Sequence, residues 1–339
     1  MPFQKSRARV AWQLKTLSLL STALFMLALQ PSSANTQLAA APFATYVSDD
    51  GEPARLTMIV QSAFERAKQD VDLRVMRDAF LGSAVLTGKV DGDFAFIDLG
   101  KDKSDFLLSD IYLPVYLYAV GKTSDVESVR LFPHLKDNRV AIENRFANTP
   151  TFRLLKEVKW SRNPSAFDAF KQLADDRAPY LVTTSLLASE FNKLLSKDNE
   201  ELLHFSSKPL VKTGFQLAVR KNVKNAKQLI DAFNIAINDM QMQGDLNTLL
   251  SKPWLTKDID GDGVADYIGH TSTTSKSDAL TSFYPLDNTP VSDSSRYYIN
   301  GKQYMALEEA REVLGVRAEN QSTRSLLDAT IYEQLIRRW

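Results

Sequence analysis

Apolar positions recur along the chain in two rhythms. Leu56, Ile59, Val60, Ala63, Phe64 and Ala67 keep the spacing of an amphipathic helix, and so do Phe167, Phe170, Leu173 and Ala174. Phe94 and Phe96, then Tyr116 and Tyr118, alternate with a period of two. That spacing predicts strands at Asp93–Leu99 and Pro114–Val120, each with aromatic side chains on one face, separated by a polar loop at Gly100–Asp105. Shorter strands are predicted at Leu73–Met76, Arg139–Ile142, Tyr180–Thr183, Leu202–Ser206 and Gly214–Lys221. Helices are predicted at Phe80–Leu86, Thr149–Val158, Leu186–Leu195 and from Asn225 to about Gln243. Strands alternating with helices imply an α/β protein with mostly parallel sheets.

The first 34 residues break this pattern. Lys5, Arg7, Arg9 and Lys15 precede an apolar run, Thr16–Leu29, and then Ser32-Ser33-Ala34. Basic, apolar and small residues in that order are those of an export signal cleaved after Ala34, and the run is short of the roughly 20 residues that span a bilayer. Whole-chain charge is zero, with 41 basic and 41 acidic residues; without the four N-terminal bases it is −4. No basic face for nucleic acid is implied. With no cysteine, neither a disulfide framework nor a lipid attachment point exists. A periplasmic monomer is expected.

From Pro42 to Leu255 the order of elements resembles the extracytoplasmic solute-binding proteins of the amino-acid (family 3) type. The resemblance is carried by the Gly88-Lys89-Val90-Asp91-Gly92 turn, the apolar strand and polar loop after it, Ser109-Asp110-Ile111-Tyr112 and the aromatic strand that follows. Gly214–Lys221 mirrors that strand, and Gly244-Asp245-Leu246 with Trp254-Leu255 close the region. The resemblance implies a bilobal type II periplasmic-binding fold with two hinge-linked, mostly parallel sheets. Residues 35–122 and 209–255 would form the first lobe and 123–208 the second, with hinge strands at Ala119–Ser124 and Ser207–Thr213. A small mixed extension would follow, with 256–270 as a loop of its own and 271–339 as linker, hairpin and helices.

By the same resemblance, three positions that usually hold an amino acid differ. The arginine that pairs with an α-carboxylate is replaced by Asp102, between Lys101 and Lys103. The carboxylate that receives the ammonium is replaced by Thr183. The Gly-Thr pair that opens a helix in the second lobe is replaced by Asn144-Arg145-Phe146-Ala147. The expected solute is therefore small and polar or aromatic, and not a standard amino acid. Arg77, Arg145 and Asp98 end strands where ligands of open α/β sheets bind. Phe43 and Tyr46 lie where the family stacks an aromatic ring on its ligand. Phe43, Tyr46, Arg77, Asp98, Arg145 and Thr183 are the candidate ligand residues; the alternative is that the Arg and Asp are solvated or ion-paired and Phe43 is core.

Asp258-Ile259-Asp260-Gly261-Asp262-Gly263-Val264-Ala265-Asp266 places oxygen donors at alternate positions, with Gly263 permitting a sharp turn. Asp258, Asp260, Asp262, Asp266 and the Val264 carbonyl could wrap a hard cation, and structural Ca2+ is expected, with an ordinary acidic turn as the alternative. Gly269 stands where an EF-hand carries its bidentate glutamate. His270–Ser295 is rich in Ser, Thr and Asp and reads as a loop or linker. Asn300-Gly301 predicts a hairpin over Tyr297–Tyr304, and helices follow at Ala306–Leu314 and Thr323–Arg338. This tail reads equally as a buttress or as a docking module.

Only His134, His204 and His270 are present, and no nucleophile elbow, zinc-binding His pair or Gly-rich phosphate loop occurs. An enzyme is not expected. The pattern favours a periplasmic solute-binding protein, transport-associated or sensor-like, with an inner-membrane permease or sensor as its partner. The alternative is a degenerate binding fold used as a calcium-stabilised envelope interaction module.

Overall fold

The computed structural model describes residues 35–316 and 324–339. The expected export segment and its cleavage point lie outside the described residues. Among those described, no helix is long and apolar enough to cross a membrane.

Two clusters of parallel strands form the framework. In the first, β1 (Thr36–Ala40) lies between β2 (Val71–Val75) and β3 (Gly92–Ile97); in the second, β6 (Arg139–Glu143) lies between β7 (Lys159–Asn163) and β8 (Tyr180–Thr184). Two long strands, β5 (Leu113–Gly121) and β10 (Val211–Arg220), run antiparallel to each other and join the clusters, β10 to β3 and β5 to β8. The expected two sheets are thus one continuous mixed sheet, because the crossing strands pair with both clusters as well as with each other. The clusters with their helices are called the first and second lobes below. Short β4 (Phe106–Leu108) and β9 (His204–Phe205) attach to β10 and β5.

β10 carries a register shift between Gln216 and Ala218. Ser109 takes over both backbone groups of Leu217 there: its N–H donates to the Leu217 carbonyl (2.9 Å) and its hydroxyl oxygen accepts from the Leu217 N–H (2.8 Å). A Cβ on Gly92, opposite this bulge, would lie 2.2 Å from the Ala218 carbonyl oxygen, so only glycine fits.

Helices cover the sheet as their apolar faces dictate. α1 (Arg55–Arg66) buries Leu56, Ile59, Val60, Ala63 and Phe64, and Phe64 packs 5.1 Å from Phe233 of the long helix, labelled α7 below. α2 (Asp78–Leu86) covers little, leaving Phe80 and Leu86 exposed. After the short α3 (Asn144–Ala147), residues 149–158, expected as one helix, make only the short turn α4 (Pro150–Arg153), followed by β7. Lys159-Trp160-Ser161-Arg162-Asn163 is an edge strand without an apolar run, so its pattern hid it. α5 (Ala166–Ala174) and α6 (Ser185–Lys197) complete the second lobe, with Ser165 and Thr184 as side-chain N-caps. α7 (Ala226–Gln243) breaks at Gly244 into α8 (Asp245–Leu250).

Trp254-Leu255, which closes the region of resemblance, opens a second sheet. Its order is β13 (Phe283–Pro285), β11 (Trp254–Lys257), β12 (Asp266–Gly269), β14 (Tyr297–Ile299) and β15 (Lys302–Tyr304). Asn300 and Gly301, both at positive φ (49° and 77°), make the tight turn of the predicted hairpin. The sheet leans on the crossing strands: the Tyr284 hydroxyl donates to the Pro114 carbonyl (2.6 Å) and the Tyr116 hydroxyl to that of Pro285 (2.9 Å). α9 (Leu307–Glu312) covers it. α10 (Ala329–Ile336) packs on the second lobe, where Tyr332 meets Phe167, Phe170 and Phe191, and Trp339 meets Phe191. The tail therefore buttresses both the crossing strands and the second lobe.

Candidate functional site

The segment after β1 folds into a tight turn, with Phe43 and Val47 bridged and Thr45 at φ 67°. A β-branched residue in the left-handed region is strained, and such strain collects at functional positions. The turn aims Phe43 and Tyr46 at the second lobe, their rings stacked with centroids 4.5 Å apart. Across the seam, Arg145 at the start of α3 lays its guanidinium over the Phe43 ring (3.9 Å to the centroid) and donates to the Pro42 carbonyl. Its Nε lies 3.6 Å from a carboxylate oxygen of Glu143. The Tyr46 hydroxyl is 2.8 Å from the Thr184 Oγ1, and the Thr151 N–H donates to the Leu99 carbonyl (3.2 Å). Arg55 and Glu190 form an ion pair between the lobes at 2.5 Å. The lobes are shut on one another.

Burial governs the electrostatics here. It pushes the Tyr46 hydroxyl up to about 12, despite Arg55 nearby, and raises the Glu143 carboxyl against the pull of Arg145. Burial would also raise Glu190, but Arg55, Lys193 and the Leu326 N–H together hold it below the ordinary glutamate value. Lys252 is pushed down to about 8 by burial and then by the charges of Arg55 and Lys193. Among the described residues, the buried side-chain atoms without a hydrogen-bond partner include Thr45 Oγ1, Arg55 Nε and Nη1, Glu143 Oε1 and Thr183 Oγ1. They include donors, an acceptor and two hydroxyls, and come from both lobes.

Of the sequence candidates, Phe43, Tyr46 and Arg145 meet at this seam, and Thr183 pairs across the strands with Tyr118, beside Thr184. The Asp98 carboxylate is engaged by Lys103 and the Gly100 N–H, which lower its pKa. Arg77 is exposed at the start of α2, with no side-chain contact to this set. Asp102 is exposed and accepts from the Ser104 N–H (2.9 Å). Sequence reasoning missed Arg55, Glu190 and Glu143. A signal was available for two of them: Arg55 falls four residues before Ile59, and Glu190 three after Leu187, so both are charges on an apolar stripe.

In the acidic loop, carboxylate oxygens of Asp258, Asp260 and Asp262 all lie within 4.8 Å of one another. Asp258 accepts from the Gly261 and Gly263 N–H groups (2.7 and 3.0 Å), and Asp262 from that of Val264 (2.8 Å). The Arg296 guanidinium pairs with Asp260. Asp266 is raised by burial and then by the charges of Asp262 and Asp258.

Two cavities, of about 420 and 380 Å³, lie elsewhere. One is beside Phe152 and Trp160, and the other is between Tyr116, Lys212, Lys257 and Asp287.

No family model matches the chain, and no curated protein does. Solved structures do. A mutant of ArgBP from T. maritima is 20% identical with TM-score 0.51, covering 63% of this chain and 93% of that one. The GluR0 ligand-binding core complexed with L-glutamate is 9% identical with TM-score 0.54, covering 65% and 97%. A histidine kinase sensor domain with similarity to periplasmic binding proteins is 15% identical with TM-score 0.51, covering 64% and 94%. Two parallel clusters joined by paired crossing strands, and the overlap with these structures, give the chain the bilobal type II periplasmic-binding fold.

Proposed function

We propose that this chain is an exported, periplasmic solute-binding protein, transport-associated or sensor-like, that holds a small polar solute between its lobes. The observation that carries the reading is the set of unpaired buried atoms at the seam. A buried polar group without a partner costs about 1–3 kcal/mol, and a solute offering both an acceptor and a donor would relieve several at once. Arg55 would meet a negative group, Glu143 a positive or hydroxylated one, and Phe43 and Tyr46 an apolar or cationic face. A standard amino acid is disfavoured because Thr183 brings no charge and Asp102 is turned to solvent. The similarity to a sensor domain as well as to ArgBP supports either a permease or a sensor as partner.

One observation favours a second reading. Arg145 already covers Phe43, and the tail grips the second lobe through Ser325 and Leu326, which donate to the Glu190 carbonyl and carboxylate (2.9 and 2.8 Å). A flytrap held shut by its own residues would serve as an interaction module. Thermal-shift and calorimetric screening with a library of small polar and aromatic solutes separates the two. A tight ligand whose binding is lost in Glu143→Gln supports the first reading; no stabilisation by any solute supports the second and overturns the first.

A further inference from the structure

We infer that the loop between β11 and β12 is a calcium-sized divalent-cation site that fixes the second sheet against the crossing strands. Three carboxylates converge there, and a cluster of like charges alone would be no site. The independent observation is Asp266, which is only 3% exposed. Its Oδ1 accepts from the Arg296 N–H (2.9 Å), whereas its Oδ2 is buried without any partner. The same Arg296 pairs through its guanidinium with Asp260, which places the Asp266 carboxyl beside the loop. A buried carboxylate oxygen left unsatisfied at the edge of a carboxylate cluster is where a cation would be most stabilising.

Charge and geometry agree. Arg296 balances Asp260 alone, which leaves Asp258, Asp262 and Asp266 without a compensating charge in the loop. The N–H groups that could oppose a cation are already turned onto Asp258 and Asp262 from within the loop. Carboxylate oxygens, the Val264 carbonyl and water together can supply the six to eight oxygen ligands calcium takes, and a loop of this irregularity suits calcium better than octahedral magnesium.

The site reaches the crossing strands through residue 287. The Asp258 N–H donates to Asp287 Oδ2 (2.9 Å), and the Ala265 N–H to the Pro290 carbonyl (2.9 Å). The same segment receives the Tyr116 hydroxyl at Pro285, and Asn288 accepts from Lys212 (3.3 Å). A cation that holds 258–266 in place therefore holds 285–290 against β5 and β10. This inference is independent of any solute at the seam.

The test uses the full chain after removal of metal with a chelator. Calorimetric titration with calcium should give one site, the melting temperature should rise by several degrees, and cleavage between Lys257 and Lys276 should slow. Asp262 is exposed, so Asp262→Asn should fold normally yet weaken calcium binding at least about tenfold, since removing a ligand charge lowers affinity. Asp266→Asn should weaken it further. No calcium uptake up to about 10 mM, beyond the weakest range of such loops, would overturn the inference. So would unchanged affinity in Asp262→Asn, or equal stabilisation by magnesium.

Discussion

Arg55 Nη2 and Glu190 Oε1 meet 2.5 Å apart between the lobes, with their side chains 1% and 2% exposed. Breaking such a pair from one side leaves a buried charge uncompensated, whereas replacing both partners removes the desolvation cost as well. Glu190→Gln should therefore destabilise the protein by about 3–5 kcal/mol. The double variant Arg55→Met/Glu190→Leu should recover most of that loss, as read by urea unfolding. A double variant no better than the single one would mean that the pair stabilises the closed seam outright.

The pH dependence follows from opposed carboxyls. Glu190, held below its ordinary value, contributes stability that is present above pH 4.5 and lost as pH falls through its folded value. Glu143, raised by burial, and Asp93, pushed up to about 6 by burial, act the other way: their contribution is present at low pH and lost as pH rises through their folded values. Unfolding free energy should be greatest near pH 4.5, where Glu190 is ionised, and should fall as pH rises from there to about 6. Glu143→Gln should flatten the fall towards neutral pH. A stability that only rises from pH 4.5 to 8 would contradict these assignments.

Arg145 acts as a tethered cation on Phe43. Arg145→Ala should cost about 1–3 kcal/mol, from the lost ring contact and the hydrogen bond to Pro42. The vacated space has the shape of a guanidinium group, so free guanidinium or L-arginine at about 20 mM should restore part of the melting temperature by mass action. Rescue equal to that given by sodium chloride would show that the space does not hold the group.

The tail belongs to the core of the second lobe. Tyr332 is 5% exposed, with its ring centroid 5.4, 6.2 and 6.0 Å from those of Phe167, Phe170 and Phe191. Tyr332→Ala should cost about 3–5 kcal/mol, the range for a buried aromatic truncated to alanine. A change within about 0.5 kcal/mol, as for surface positions, would mark the tail as detachable.

The helices with clean 3.6-residue stripes and the aromatic strands were legible because one face of each is apolar and the other polar. β7 was not, since an edge strand such as Lys159–Asn163 needs no apolar run. The second sheet was hidden for a related reason. Its strands are three or four residues long, and Trp254-Leu255 looks the same at a helix end as at a strand start. At the seam, Phe43, Tyr46 and Arg145 were legible as strand-end residues, but their meeting one another across it depends on how the lobes close. Arg55 and Glu190 were visible only as charges out of place on apolar stripes, and only tertiary structure says that they pair.

The distance between the lobes in solution tests the shut seam most directly. The chain has no cysteine, so exposed Lys89 and Lys156 can be replaced by cysteines and spin-labelled without competition. A pulsed electron–electron measurement on the solute-free protein should give one narrow distance, which becomes longer and broader in Glu190→Gln. A broad or long distribution in the otherwise unmodified chain would contradict a seam closed by its own residues.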